Sequence, residues 1–280
     1  MKTRVGRSAT PAVSAAVTPA TWSAWRASTP ARIALGRAGA AMPTDETLRF
    51  GLAHARARDA VHAALDTDAL AAALAAAGWP TARARSCAGD RATYLRRPDL
   101  GRQLDPAAVP ALDAIAATDR AARGGAVPDL CFVVGDGLSA LAAARHAVPL
   151  LAELRPRLPP SLSCTPVVIA TQARVALADD IGERFGARIA AILIGERPGL
   201  SSPDSLGVYL TWAPRRGRVD AERNCISNVR PAGLGYAAAA HKLSWLLLEA
   251  LRRGETGVAL KDDSDAAAQS RARRTGTITR

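Results

Sequence analysis

"LCFVVGDG", residues 130–137, sets the fold. Leu130 to Val134 are apolar without a break, and Gly135, Asp136 and Gly137 follow at once. A short continuous apolar run closed by turn residues reads as a strand buried on both faces. "LSALAAARHAVPLLAEL" (138–154) continues as a helix, with a bend expected at Pro149. Downstream, "TPVVIATQAR" (165–174) is a second strand and turn, and "VALADDIGERFG" (175–186) is a helix closed by Gly186. "IAAILIGERPGL" (189–200) is a third strand and turn, "LGVYLTW" (206–212) a fourth strand, and "GLGYAAAAHKLSWLLLEALRRG" (233–254) a long last helix. Apolar strands alternating with helices predict an α/β fold: a Rossmann-like, mostly parallel sheet with helices on both faces.

Upstream the chain reads as a helical N-terminal region. Thr44, Asp45 and Glu46 open one helix, and "DTDALAAALAAAG" (66–78) is a second with its own acidic start. Leu48, Leu52, Val61 and Leu65 give a partial apolar stripe. Residues 81–104 are mixed and arginine-rich, and Asp105 and Pro106 start a further helix. The expected division is a leader without structure at 1–30, a helical region at 31–127, an α/β domain at 128–260 and a tail without structure at 261–280.

The chain has 280 residues, 49% of them hydrophobic, enough for one large core. Its net charge is +12, carried almost wholly by arginine, since lysine occurs only at 2, 242 and 261. No basic stripe is interleaved with aromatics, so no nucleic-acid partner is expected. No apolar run reaches membrane-spanning length and no secretory signal is readable, so a cytoplasmic protein with no membrane partner is expected. The four cysteines (87, 131, 164, 225) and four histidines (54, 62, 146, 241) form no metal-binding spacing.

In open α/β sheets ligands bind beyond the carboxyl ends of the strands. Three polar turns belong there: "GDGLS" (135–139), "TQARV" (171–175) and "GERPG" (195–199). Gly135 and Gly137 permit close backbone approach, and the following helix offers free N–H groups; Asp136 or Ser139 could equally serve as a simple helix cap. Glu196 can accept hydrogen bonds from a ligand, or can pair with Arg197 inside the loop. "DAERNCISNVRPAG" (220–233) reads as a polar, non-periodic loop. No full glycine fingerprint, phosphate loop or nucleophile elbow is present. A free-standing nucleotide-binding enzyme is thereby disfavoured, and the chain reads as a holder of something large.

Long segments in a fixed order carry a resemblance. "TPARIALGRAGAAMPTDETLRFGLAHARARDAVHAALD" (29–66), "DRATYLRRPDLGRQL" (90–104), "VVGDGLSALAAARHAVPLL" (133–151), "IGERPGLSSPDSLGVYLTWAPR" (194–215) and "NCISNVRPAGLGYAAAAHKLSWLL" (224–247) resemble the small subunit of adenosylcobalamin-dependent ethanolamine ammonia-lyase. The resemblance implies a lyase that works with a large (β/α)8 subunit, six copies of each, and converts ethanolamine to acetaldehyde and ammonia through a radical. It implies cobalamin contacts at Val175, Glu196 and Cys225, none of them catalytic; the glycine turn Gly135, Asp136 and Gly137 joins them as a cofactor contact expected from its strand-end pattern. It implies a cytoplasmic setting, with a bacterial microcompartment as the alternative. The run D-x-H-x-x-G that places histidine on cobalt in other cobalamin proteins is absent, which agrees with a cofactor that keeps its own benzimidazole on the metal.

Overall fold

The computed structural model describes residues 20–37 and 39–266. The expectations for residues 1–19 and 267–280 lie outside the described residues. The chain falls into two units, residues 1–56 and 57–280.

The first unit holds helix α1 (Ala20–Ala27) and most of α2 (Thr44–His62). Helix α1 occupies the end of the stretch expected to lack structure. Arg26 and Arg49 reach Glu46 at 3.0 and 2.9 Å. The expected apolar stripe is not buried here, since Leu48 is 68% and Leu52 51% exposed.

The second unit is built on a six-stranded sheet. Its elements are α3 (Thr67–Ala76), β1 (Thr81–Arg85), α4 (Arg91–Arg96), α5 (Val109–Ala122), β2 (Leu130–Gly135), α6 (Ala140–Leu154), β3 (Val167–Thr171), α7 (Leu177–Phe185), β4 (Ile189–Gly195), β5 (Leu206–Trp212), β6 (Arg223–Val229) and α8 (Tyr236–Arg253). The strand order is β1-β3-β2-β4-β5-β6. Strands β1 to β4 run parallel, with helices between them. Strands β5 and β6 return antiparallel. The connection at 196–205 carries no helix, and a parallel crossover needs a covering segment of a dozen or more residues.

Two further differences from the sequence reading have physical causes. Strand β1 lies inside the region read as helical. Its side chains alternate buried Ala82 and Ala84 with exposed Arg83 and Arg85. Alanine and arginine have little strand propensity, and β1 forms by pairing with β3 along its whole length. Residues 223–229, read as loop, form β6. A register shift sets Ile226 opposite Val208 but Val229 opposite Leu206. One extra residue on β6 makes a bulge there, with Asn228 at φ +59. The bulge destroys the period-two pattern that would have marked a strand.

Helices α3, α6 and α8 cover one sheet face around Phe132, Ile169, Leu193 and Leu210. Helices α5 and α7 cover the other around Val133, Val168, Ile192 and Phe185. That second cover stops short of β6, where Cys225 and Ser227 are exposed. Helix α6 runs on through Pro149. Gly186 and Gly254 close α7 and α8 in the left-handed conformation, as expected. The start of the C-terminal stretch, expected to lack structure, lies along α8: Lys242 holds Asp262 at 3.2 Å and Asp265 at 3.1 Å. Among the described residues no helix is long and apolar enough to cross a membrane.

Phe132 is fully buried at the centre of the sheet. Phe132→Ala is expected to lower unfolding free energy by about 3–5 kcal/mol, read from the urea midpoint.

Candidate functional site

The three turns singled out in the sequence share one rim. Gly135 is level with Ala170 of β3 and with Ile194 of β4. The turns also lock onto one another. Gly137 has φ +57, and a Cβ there would lie 2.2 Å from the Gly195 carbonyl oxygen. A Cβ on Gly195 would lie 2.0 Å from the Ser139 carbonyl oxygen. Only glycine fits both places. The Leu138 amide donates to the Gly195 carbonyl at 2.9 Å.

Asp136 joins the β2 turn to the β3 turn. It is 4% exposed, and its two oxygens accept from the amides of Gln172 and Ala173, both at 2.9 Å. Gln172 is held at φ +53. Burial pushes the Asp136 carboxyl above its usual range, with these amides and Arg91 opposing. Asp136 thus orders the rim from inside. Ser139 caps α6, accepting from the Ala142 amide at 3.3 Å, and donates to the Pro203 carbonyl at 2.9 Å. That second bond ties the loop after β4 to the same helix end.

Glu196 sits over Gly207 of β5, where a Cβ would meet its carboxylate oxygen Oε1 at 3.0 Å. It accepts from Ser205 Oγ, from Ser227 Oγ at 2.6 Å and from the Asn228 amide at 3.1 Å. The last two donors come from the bulge in β6. The alternative of a Glu196–Arg197 pair is not what forms: Arg197 is exposed and makes no ion pair among the described residues.

A hollow of about 440 Å³ opens where these turns meet the uncovered sheet face. Gly137, Val175 and Glu196 line it, together with Leu138, Ile194, Tyr94 and Tyr209. Gly135 and Asp136 lie beneath it. Cys225 is outside its lining but pairs in register with Tyr209. Desolvation by the side chains packed around it, with the nearby Glu196 carboxylate adding, raises the pKa of the Cys225 thiol although the residue as a whole is exposed, and the sulfur presents as neutral surface. No histidine lines the hollow.

Sequence reading passed over the aromatic part of this site. Tyr94 is fully buried, donates to the Ala173 carbonyl at 3.0 Å and is covered by Arg91 and Arg174, whose guanidinium carbons lie 4.6 and 4.3 Å from its ring centre. Desolvation pushes its phenol up to about 12. Arg91 also donates to the Gly137 carbonyl at 2.7 Å. The signal was the charge-dense run "DRATYLRRPDLG" (90–101), which carried no motif.

A family profile described as "Ethanolamine ammonia-lyase light chain (EutC)" matches residues 19–261. The chain is 56% identical over 252 residues to an ethanolamine ammonia-lyase small subunit of Ralstonia nicotianae, covering 90% of this chain and 92% of that protein. It is 56% identical over 253 residues to the small subunit of Azotobacter vinelandii, covering 89% and 92%. It is 52% identical over 259 residues to that of Pseudomonas aeruginosa, covering 92% and 93%.

Asp136→Asn keeps the shape but turns an amide donor toward a backbone N–H. The expected loss is about 1–3 kcal/mol in urea denaturation. Faster hydrogen exchange at the Gln172 and Ala173 amides is expected with it.

Proposed function

The chain belongs to the ethanolamine ammonia-lyase light-chain family, and from that premise we propose that its rim hollow forms one wall of an adenosylcobalamin site. The observation that supports this most is the meeting of Val175, Glu196 and Gly137 in one hollow at the carboxyl ends of the parallel strands. A corrin is a flat ring edged with methyl and amide groups. Leu138, Val175, Ile194 and the Tyr209 ring suit its apolar edge. Glu196 suits an amide: a carboxylate has about four acceptor positions, and three are taken within the chain.

When bound, adenosylcobalamin supplies the carbon radical that takes hydrogen from ethanolamine on the way to acetaldehyde and ammonia. The residues of this chain do not touch the reacting carbon in this reading. They hold and orient the corrin edge, and their packed turns keep water from it. Gly135 and Asp136 act through the shape of the rim. Cys225 offers a neutral sulfur surface next to Tyr209. The Rossmann-like character lies in this use of the strand ends.

The opposite wall is the family's large (β/α)8 subunit, with six copies of each chain. The open face at β6 and the exposed Leu48 and Leu52 are surfaces such a partner covers, with 30–43 as part of the gripping arm. The assembly works in the cytoplasm or inside a bacterial microcompartment.

Co-expression with a large subunit tests the reading: acetaldehyde is expected from ethanolamine only when both chains and adenosylcobalamin are present. Activity of this chain alone, or of the large subunit without it, sinks the proposal. Glu196→Gln in the complex is expected to weaken cobalamin binding about tenfold, ~1.4 kcal/mol, with ethanolamine affinity moved less. Removal of residues 30–43 is expected to abolish co-purification of the two subunits in a pull-down.

A further inference from the structure

The loop that joins β4 to β5 (196–205) is gripped by a cluster of charge in which the cofactor reading gives no residue a part. Of the four histidines, only His146 of α6 is buried, at 4% exposure. Its Nδ1 lies 2.8 Å from the Tyr236 hydroxyl at the start of α8. Its Nε2 is buried with no hydrogen-bond partner, 3.7 Å from Oδ2 of Asp204 in the loop. The same Oδ2 holds Arg145 of α6 at 3.1 Å, and Asp204 Oδ1 lies 3.5 Å from Arg230, just past β6. A ring lone pair aimed at a carboxylate is repelled by it. The neutral imidazole therefore carries its proton on Nε2 and accepts from Tyr236 at Nδ1.

Asp204 reaches Glu196 by two routes. It precedes Ser205, whose hydroxyl donates to the Glu196 carboxylate and whose carbonyl accepts from the Glu196 amide at 2.9 Å. Its partner Arg230 donates from Nε to Asn228 Oδ1 at 3.2 Å, and the Asn228 amide donates to Glu196 at 3.1 Å. On the other side Ser139 of α6 holds the Pro203 carbonyl at 2.9 Å. Asp204 is thus flanked by fixed neighbours, and a shift of its carboxylate passes to two of the three donors that hold Glu196.

We propose that His146 is a positioning residue for Glu196, acting through Asp204, and that proton uptake by its ring loosens the Glu196 cradle. The proposal rests on the cofactor reading only for the ligand that Glu196 meets. Neutral His146 leaves Asp204 to Arg145 and Arg230. An imidazolium competes with both for one carboxylate and draws it toward α6, away from the arginine that steadies Asn228. Burial holds His146 below its usual value of 6.5, against the upward pull of Asp204, and Arg145 adds to the lowering. The ring takes its second proton only as pH falls below that value, so the cradle is whole at neutral pH and opens in acid.

The test uses the two-subunit complex, with cyanocobalamin as a probe that itself takes up no proton over the range. Bound corrinoid is read by absorbance after equilibrium dialysis. Wild-type affinity is expected to fall about tenfold from about pH 7.5 to about pH 5, a one-proton dependence. His146→Gln keeps an N–H toward Asp204 but takes up no proton, and is expected to flatten that profile. At neutral pH His146→Ala is expected to weaken binding about tenfold, and His146→Gln to recover most of the loss. In the full chain alone, nitrogen-15 spectra are expected to show the Nε2–H tautomer of His146. The Ser205 and Asn228 amide resonances are expected to titrate together with its ring, and to stop doing so in His146→Gln. An unchanged pH profile in His146→Gln, equal losses in the Ala and Gln variants, or Ser205 and Asn228 amides indifferent to the His146 titration overturn the inference and leave the cofactor reading standing. A wild-type complex that binds no cyanocobalamin defeats the cofactor reading, and the amide titration then decides the positioning role by itself.

Discussion

The contact on which the rim depends is between two backbones. The turn after β2 lies so close to the turn after β4 that neither Gly137 nor Gly195 has room for a single extra carbon. Parallel strands leave adjacent turns at the same level, but nothing in a sheet obliges those turns to touch. Here they touch because side chains are absent at two positions and because the Leu138 amide finds the Gly195 carbonyl. Asp136 then draws in the third turn by holding two of its amides. A carboxylate buried this deeply is costly unless its oxygens are satisfied. The three turns therefore stand or fall as one body.

The strands of the sheet that bear the rim were legible because burial on both faces leaves no polar residue to interrupt them. Leu130–Gly135 and Ile189–Gly195 are buried at every position, and their apolar runs announce it. Strand β1 was illegible for the opposite reason: its exposed arginines and small alanines carry no strand signal, and its pairing with β3 supplies what propensity does not. Strand β6 was hidden by its bulge. The direction of β5 was beyond reading from its own residues, since it follows from the length and course of 196–205.

The site divided in the same way. Glycines at strand ends signal ligands or tight packing, and here Gly137 and Gly195 are packing residues that shape a hollow. Glu196 was found, but its partners, Ser205 and the adjacent pair Ser227 and Asn228, come from two places that no local pattern links. Tyr94 stood in plain view in an arginine-rich run. Its role emerges only when Arg91 and Arg174, far apart in sequence, close on its ring. Charge density marked the segment, and tertiary structure alone gave it meaning.

Glu196 has one more consequence. Three donors of its own chain fix the carboxylate before any ligand arrives, in a space that Gly207 leaves open by lacking a Cβ. A side chain already confined surrenders almost no rotamer freedom on association. Its remaining acceptor position is a standing feature of the surface, and a guest meets a finished wall rather than one it must assemble.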